Sequence, residues 1–101
     1  MSYSFNWDSV AFNTYIEETE FILLKWNRIE VKKFILLVEE NLERLSKNPE
    51  IGIYKNELKI YSVIISKQTT LYYNFDTNPR IIELYVFWNN LKNPDDLIKL
   101  L

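Results

Sequence analysis

The chain has 101 residues, a net charge of −2, an apolar fraction of 48% and an aromatic fraction of 16%. This composition excludes intrinsic disorder and suits a single domain, residues 1–101, with one core. The lack of cysteine and histidine excludes disulfides and Cys/His metal sites, and the single glycine excludes a glycine-rich phosphate loop. Apolar runs are too short for a membrane span and no signal-peptide pattern is present, so we expect a cytoplasmic protein. Because the site types named above are excluded, we also expect no cofactor and no metal.

The first quarter of the chain predicts a short strand and a helix. Residues 3–7 alternate aromatic and polar side chains, which is typical of an edge strand. Asp8 or Ser9 can then cap a helix that runs to residue 26. Four apolar residues of this helix fall at helical spacing, and we expect them to face the core: Phe12, Ile16, Leu23 and Trp26. The carboxylates off this row should be solvated: Glu17, Glu18 and Glu20.

A second helix begins near Asn27, because Asn27 and Glu30 have the form of a capping box. Its apolar face follows the i, i+3, i+4, i+7 rule through Val31, Phe34, Ile35, Val38, Leu42 and Leu45. Two helices joined by so short a break should form an antiparallel hairpin whose apolar face lies across a sheet. Residues 46–49 end the helix, and we expect Gly52 to adopt a positive φ in a turn.

The second half predicts a meandering, mainly antiparallel sheet. Residues 53–57 are interpreted as a polar connector, and residues 60–66, 70–75 and 81–88 as strands. The first strand should be central, since its apolar residues run in succession. Alternation places Leu71, Tyr73 and Phe75 on one face of the second strand, and Ile82, Leu84, Val86 and Trp88 on one face of the third. The predicted fold class is α+β, a two-helix hairpin packed on a small twisted sheet.

The last residues predict a short C-terminal helix. Asn93 offers a cap, Pro94 suits the first helical position, and Asp95 with Asp96 places acids in the first turn. The apolar residues that follow form a flap over the core edge or a surface for a partner protein: Leu97, Ile98, Leu100 and Leu101.

Several segments resemble the RelE/ParE superfamily of bacterial type II toxins. The first helix, with Ala11, Tyr15, Ile16 and Trp26, is similar to the first helix of the family. The end of the second helix matches the family pattern F...L..L..NP..G through Phe34, Leu42, Leu45, Asn48, Pro49 and Gly52. Residues 63–75 read VIISKQTTLYYNF and are similar to the family's paired strands, vi.k..tlyYri. Residues 84–94 read LYVFWNNLKNP and resemble the closing il.ffdnRqnP.

The resemblance implies a growth-inhibiting toxin that a cognate antitoxin neutralises. The patterns lie nearer to the ParE or plasmid-stabilisation branch, which acts by binding and is associated with DNA gyrase. The RelE-like alternative is a ribosome-dependent mRNA endonuclease. A third possibility is a non-toxic, degenerate relative that keeps only an interaction surface, because Asn74 and Leu91 stand where the family patterns have arginine. The sequence leaves the oligomeric state open.

The resemblance also suggests site residues. Without histidine, an endonuclease must use lysine, arginine, tyrosine or a carboxylate. RelE-like enzymes use basic residues and a tyrosine, and the weak catalytic candidates here are Lys55, Lys59, Tyr61, Arg80 and Tyr85. The candidates for target binding are Lys59, Tyr72, Asn74, Arg80 and Lys92. The candidates for antitoxin binding are Leu97, Ile98, Leu100 and Leu101. Tyrosines in half-buried strands more often pack than react, and scattered lysines are more often solvated.

Overall fold

A computed structural model describes residues 2–101 and shows two long helices packed on one face of a five-stranded sheet. The elements in chain order are β1 (Ser4–Trp7), α1 (Ser9–Lys25), α2 (Arg28–Lys47), a 3₁₀ turn (Pro49–Ile51), β2 (Ile53–Lys55), β3 (Ile60–Ile64), β4 (Thr69–Thr77), β5 (Arg80–Asn89) and α3 (Pro94–Leu100). The α+β class, the helical hairpin and the short C-terminal helix are confirmed. Within residues 2–101, no helix is long and apolar enough to cross a membrane.

The strands are ordered β1-β5-β4-β3-β2. Only β1 pairs in parallel, with β5, and the other neighbours are antiparallel. Two details of the prediction are wrong. Part of the supposed connector, Ile53–Lys55, forms an edge strand against β3. The strand order makes β4 the central strand, with β3 between β4 and β2. β3 is not covered on both faces, because Val63 and Ile65 enter the core whereas Ile64 is 66% exposed.

A β-bulge divides the apolar residues of β5 between the two faces of the sheet. Tyr72 pairs with Val86 and Tyr73 with Leu84, so Tyr85 is the extra residue. Leu84 therefore lies on the helix side together with Phe87, and Val86 lies on the opposite side. The prediction of one uninterrupted face from residue 82 to residue 88 is wrong, because a bulge shifts the period-2 alternation by one position.

The two helices differ in how well periodicity predicted their buried faces. In α2 the predicted row is confirmed, with Phe34, Val38 and Leu45 buried. In α1 the predicted row is wrong, and the buried residues are Ala11, Thr14, Glu18 and Ile22. Small side chains let α1 approach β5 so closely that the Phe87 N–H donates to Thr14 Oγ1 at 2.9 Å. The face of α1 that meets the sheet is thus the one whose small side chains allow this bond, and the larger apolar side chains lie on the neighbouring face.

Gly52 is required by close packing and not by a turn. Its φ is −74°, so the expected positive φ is wrong. Its N–H donates to the Tyr73 hydroxyl at 3.1 Å, and an added Cβ would lie 2.6 Å from the Ser62 carbonyl oxygen and closer still to the Tyr73 hydroxyl. A side chain at this position would therefore push β3 and β4 away from the end of the 3₁₀ turn.

Tyr73→Phe should destabilise the fold and change its response to alkali. The Tyr73 hydroxyl donates to the Pro49 carbonyl at 2.6 Å and accepts from Gly52, so its loss should lower the free energy of unfolding by about 1–3 kcal/mol. Burial raises the pKa of Tyr73 to about 12, above its ordinary value of 10.0. The protonated phenol thus contributes stability that is complete below pH 10 and is lost as pH rises through about 12.

Urea denaturation at neutral and alkaline pH checks this expectation. The parent protein should lose stability more steeply than Tyr73→Phe across that alkaline window. Tyr54→Phe, at an exposed position on the edge strand, is the matched control. Equal stability of the parent and Tyr73→Phe at neutral pH would contradict the structural role of the hydroxyl.

Candidate functional site

Three of the predicted cationic residues lie at one end of the sheet. Lys55 and Lys59 flank the turn between β2 and β3, where the Lys59 N–H donates to the Lys55 carbonyl at 2.7 Å. Asn74 supports this turn, because its side-chain amide donates to the Lys59 carbonyl at 3.3 Å. Arg80 begins β5, and its guanidinium lies 5.8 Å from the Tyr3 ring centroid.

Lys92 lies beyond the opposite end of β5. Its Nζ is 5.8 Å from the Trp88 ring centroid and 4.0 Å from Glu17 Oε2. A strand rises by ~3.3 Å per residue, so the ten residues of β5 separate its two ends by about 30 Å. Lys92 and Arg80 therefore cannot contact the same small group on a target.

The candidate tyrosines lie on two faces of the sheet. Tyr61 is on the helix side among aromatic rings, with its centroid 5.1 Å from Tyr54, 5.7 Å from Tyr73 and 5.2 Å from Phe75. Tyr72 and Tyr85 are on the open side, packed against the cluster of Val86, Trp88 and Leu97. The structure therefore does not bring the five catalytic candidates together.

The surroundings of Tyr85 are acidic. Burial raises the pKa of its phenol, and the carboxylates of Glu83, Asp76 and Asp8 raise that pKa further. Burial likewise raises the pKa of Tyr72. Carboxylates beside a phenol disfavour the phenolate and repel a phosphate group. This part of the sheet offers poor electrostatics for phosphodiester cleavage, which needs cations around the reacting phosphate.

Glu18 is a buried carboxylate, so the prediction that its side chain is solvated is wrong. It is 4% exposed, and its oxygens accept hydrogen bonds from the Thr69 hydroxyl and from Asn89 Nδ2, the latter at 3.0 Å. The network ties α1 to the start of β4 and the end of β5. One sequence pattern could have predicted this buried face of α1. Ala11, Thr14, Glu18 and Ile22 are spaced by three, four and four residues, so they share one side of the helix.

The outward face of α1 carries apolar side chains that the fold does not cover. We call Phe12, Ile16 and Leu23 the outer stripe; they are 54%, 37% and 46% exposed. Leu23 also lines a groove of about 300 Å³ between the helices, together with Val31, Arg28 and Lys32. Grouped on one face, these side chains form a candidate surface for binding another macromolecule.

The four predicted antitoxin-binding residues of the tail are divided by α3. Leu97 is buried against Val86 and Trp88, so it holds α3 on the open face of the sheet. Ile98, Leu100 and Leu101 are exposed. Only these three are accessible while α3 stays in place.

Comparisons with known proteins support the fold. No protein-family model matches the chain. No curated protein matches it either. Among solved structures, a chain from the crystal structure of the toxin–antitoxin complex RelBE2 from Mycobacterium tuberculosis superposes with a TM-score of 0.63 at 16% sequence identity. The match covers 89% of this chain and 100% of the other. The chain therefore has the RelE/ParE-like fold that its sequence predicted.

Proposed function

We propose that this chain is the toxin of a type II toxin–antitoxin pair and that a cognate antitoxin neutralises it by binding. The observation that carries the proposal is the structural match to a chain of a toxin–antitoxin complex along that chain's whole length. Fold alone does not assign a function, so the proposal also uses the surface of the molecule. The outer stripe supplies an uncovered apolar face of the kind that a neutralising partner needs.

The outer stripe suits an amphipathic helix of the antitoxin. Phe12, Ile16 and Leu23 recur at i, i+4 and i+11 along one side of α1 and span ~16 Å of helix. An apolar helix face laid along such a row buries residues at matching i, i+4 spacing, which is the helix-in-groove mode of recognition. The exposed tail residues Ile98, Leu100 and Leu101 supply a second apolar contact for the same antitoxin.

Action by binding, as in the ParE branch with DNA gyrase as the target, is favoured over cleavage. The reasons are the dispersal of the catalytic candidates over two faces and the carboxylates around Tyr85. One observation favours the RelE-like alternative, an mRNA endonuclease: Lys55, Lys59 and Arg80 share one end of the sheet. Target contacts through Lys59, Tyr72, Asn74 and Arg80 suit either mode, whereas Lys92 would contact a separate part of the target.

A non-toxic relative remains the third candidate, supported by the two positions that lack the family arginine. The Asn74 side-chain amide donates to the Lys59 carbonyl and so supports the turn instead of offering a charge to a target. Leu91 is exposed just after β5 and offers no charge to a target.

Co-expression with the product of the neighbouring reading frame tests the proposal. A tagged chain should bring down that product as a stable complex after gel filtration. Total RNA and plasmid supercoiling from induced cells then separate the modes of action. Intact transcripts with altered supercoiling are expected, and ribosome-dependent cleavage would instead select the endonuclease. A neighbour that is soluble and well expressed but does not bind would overturn the proposal.

A further inference from the structure

The end of the molecule where α1 turns into α2 concentrates positive charge. Residues 25–33 carry four cationic side chains and one carboxylate, and Lys67 adds a fifth cation from the β3–β4 hairpin. We call this set the turn patch: Lys25, Arg28, Glu30, Lys32, Lys33 and Lys67. Five cations against one carboxylate give it a formal charge of +4. The remaining seven cations and thirteen carboxylates give the rest of the chain −6, which accounts for the total of −2.

The turn patch borders a pocket with an apolar interior. Ile22, Phe34 and Leu37 line it from α1 and α2, and its volume is about 430 Å³. Ile22 and Phe34 are buried elements of the main core. The polar lining comes from Lys33 and Lys67, together with Glu30, Ser66 and Gln68. An apolar side chain could enter this space with charged groups on either side of it.

Trp26 gives the pocket a rigid aromatic wall. It is 44% exposed, and the Lys25 ammonium lies 5.1 Å from its ring centroid and 5.5 Å from that of Phe21. Cation–π contacts of this kind hold an indole in place beside a positive charge. Tryptophan is among the residue types that most often contribute large binding energies at interfaces.

The charges of the patch are available to a partner. Lys33 Nζ lies 3.2 Å from Glu30 Oε1, in an exposed pair that is worth little in water. Among residues 2–101, no carboxylate lies within ion-pairing distance of Lys67. An incoming carboxylate can therefore pair with Lys67 without first displacing a partner.

We propose that the turn patch binds an acidic peptide segment of a partner protein, with one apolar side chain of that segment seated in the pocket. The positive charge of the patch favours an acidic ligand. The apolar lining of the pocket favours a ligand with an apolar side chain, which a nucleic-acid backbone lacks. The positive surface is also confined to one end of an otherwise acidic molecule. A polyanion such as RNA would extend from the patch onto surface of charge −6, whereas a short acidic segment would not.

This surface lies at the opposite end of the sheet from Lys59, Asn74 and Arg80. Lys92 is nearer to it, because the Asn90 side-chain amide donates to the Lys67 carbonyl at 3.3 Å. The turn patch borders the outer stripe, since Arg28 and Lys32 line the groove beside Leu23, together with the carboxylate Glu20. The proposal needs only the charge and the pocket, so it stands whether or not the chain is a toxin.

Titration with a short labelled peptide tests the proposal. The probe consists of glutamates and aspartates around one central leucine, and its binding to the full chain is followed by fluorescence anisotropy and amide chemical shifts. Shifts should concentrate on Trp26, Phe34 and Lys67. Lys33→Glu and Lys67→Glu should each weaken binding by about tenfold, and replacing the peptide's leucine by serine should weaken it comparably.

Lys47→Glu is the matched control, because it makes the same change in net charge on the same helix. Lys47 lies 14 positions from Lys33 along α2, which corresponds to ~21 Å. It should leave peptide binding unchanged. An equal loss in Lys47→Glu, or no loss in Lys33→Glu and Lys67→Glu, would overturn the proposal. Tighter binding of a single-stranded RNA of similar length, at the same residues, would replace it with a nucleic-acid site.

Discussion

Replacement of Glu18 by alanine is expected to lower the free energy of unfolding by about 2–4 kcal/mol, since two buried donors would lose their shared acceptor. The Thr69 hydroxyl and the Asn89 side-chain amide both donate to Glu18, and they are as deeply buried as the carboxylate itself. For a domain of this size such a loss lowers the midpoint of thermal unfolding by roughly 10 °C or more. Circular dichroism melting and urea denaturation measure both quantities.

Two further variants sharpen this prediction. Glu18→Gln should fall between the parent and Glu18→Ala, because its amide can accept from one donor but presents an N–H₂ group to the other. Glu17→Ala is the matched control; Glu17 is exposed and lies 4.0 Å from Lys92, so its loss should change stability by less than about 0.5 kcal/mol. Equal stability of Glu18→Ala and Glu17→Ala would contradict the structural role of the buried network.

The double variant Ile16→Lys, Leu23→Lys should lose antitoxin binding by about 100-fold or more, because two ammonium groups would be buried in an apolar interface without partners. The free chain should remain folded, since both side chains are already 37% and 46% exposed. Isothermal titration calorimetry with the purified neighbour's product measures the affinity, and thermal melting confirms the fold.

Leu24→Lys is the control for this surface. Leu24 follows Leu23 directly, but it is 88% exposed and points about 100° away around the helix. It should leave the affinity within about threefold of the parent, since an exposed position outside the interface contributes little. Full antitoxin binding by the double variant would show that the outer stripe is not the docking surface and would direct attention to Ile98, Leu100 and Leu101.

Periodicity was sufficient for the parts of the fold in which one face is apolar and the other charged. The second helix shows this. Phe34, Val38 and Leu45 lie on one side of it, with lysines and glutamates on the opposite side, and all three are buried as predicted. In α1 the same rule selected the wrong face. Phe12 and Ile16 are the larger apolar residues, but Thr14 and Glu18 make long-range hydrogen bonds that fix which side meets the sheet. Spacing cannot show such bonds, since their partners lie in β4 and β5.

The strands show a second limit of sequence patterns. Residues 84–88 are all apolar or aromatic, so alternation could not reveal that Tyr85 is the bulged residue or that Phe87 joins the helix-side core. The candidate site suffered from the same lack of long-range information. Arg80 and Lys92 flank the predicted strand at residues 81–88, and the extended chain between them places them at opposite ends of the sheet. The turn patch could not be predicted from sequence patterns, because Lys67 lies beside the α1–α2 turn only in the folded chain.

Growth after inducible expression of this chain alone, scored with and without the neighbouring reading frame, tests the central claim most directly. The proposed function predicts arrest on induction and recovery when the neighbour is co-expressed. Recovery should fail for the Ile16→Lys, Leu23→Lys variant, provided that this variant still arrests growth. Normal growth with soluble, well-expressed protein would contradict the claim and favour a relative that has lost toxicity, with Asn74→Arg and Leu91→Arg the first changes expected to restore it.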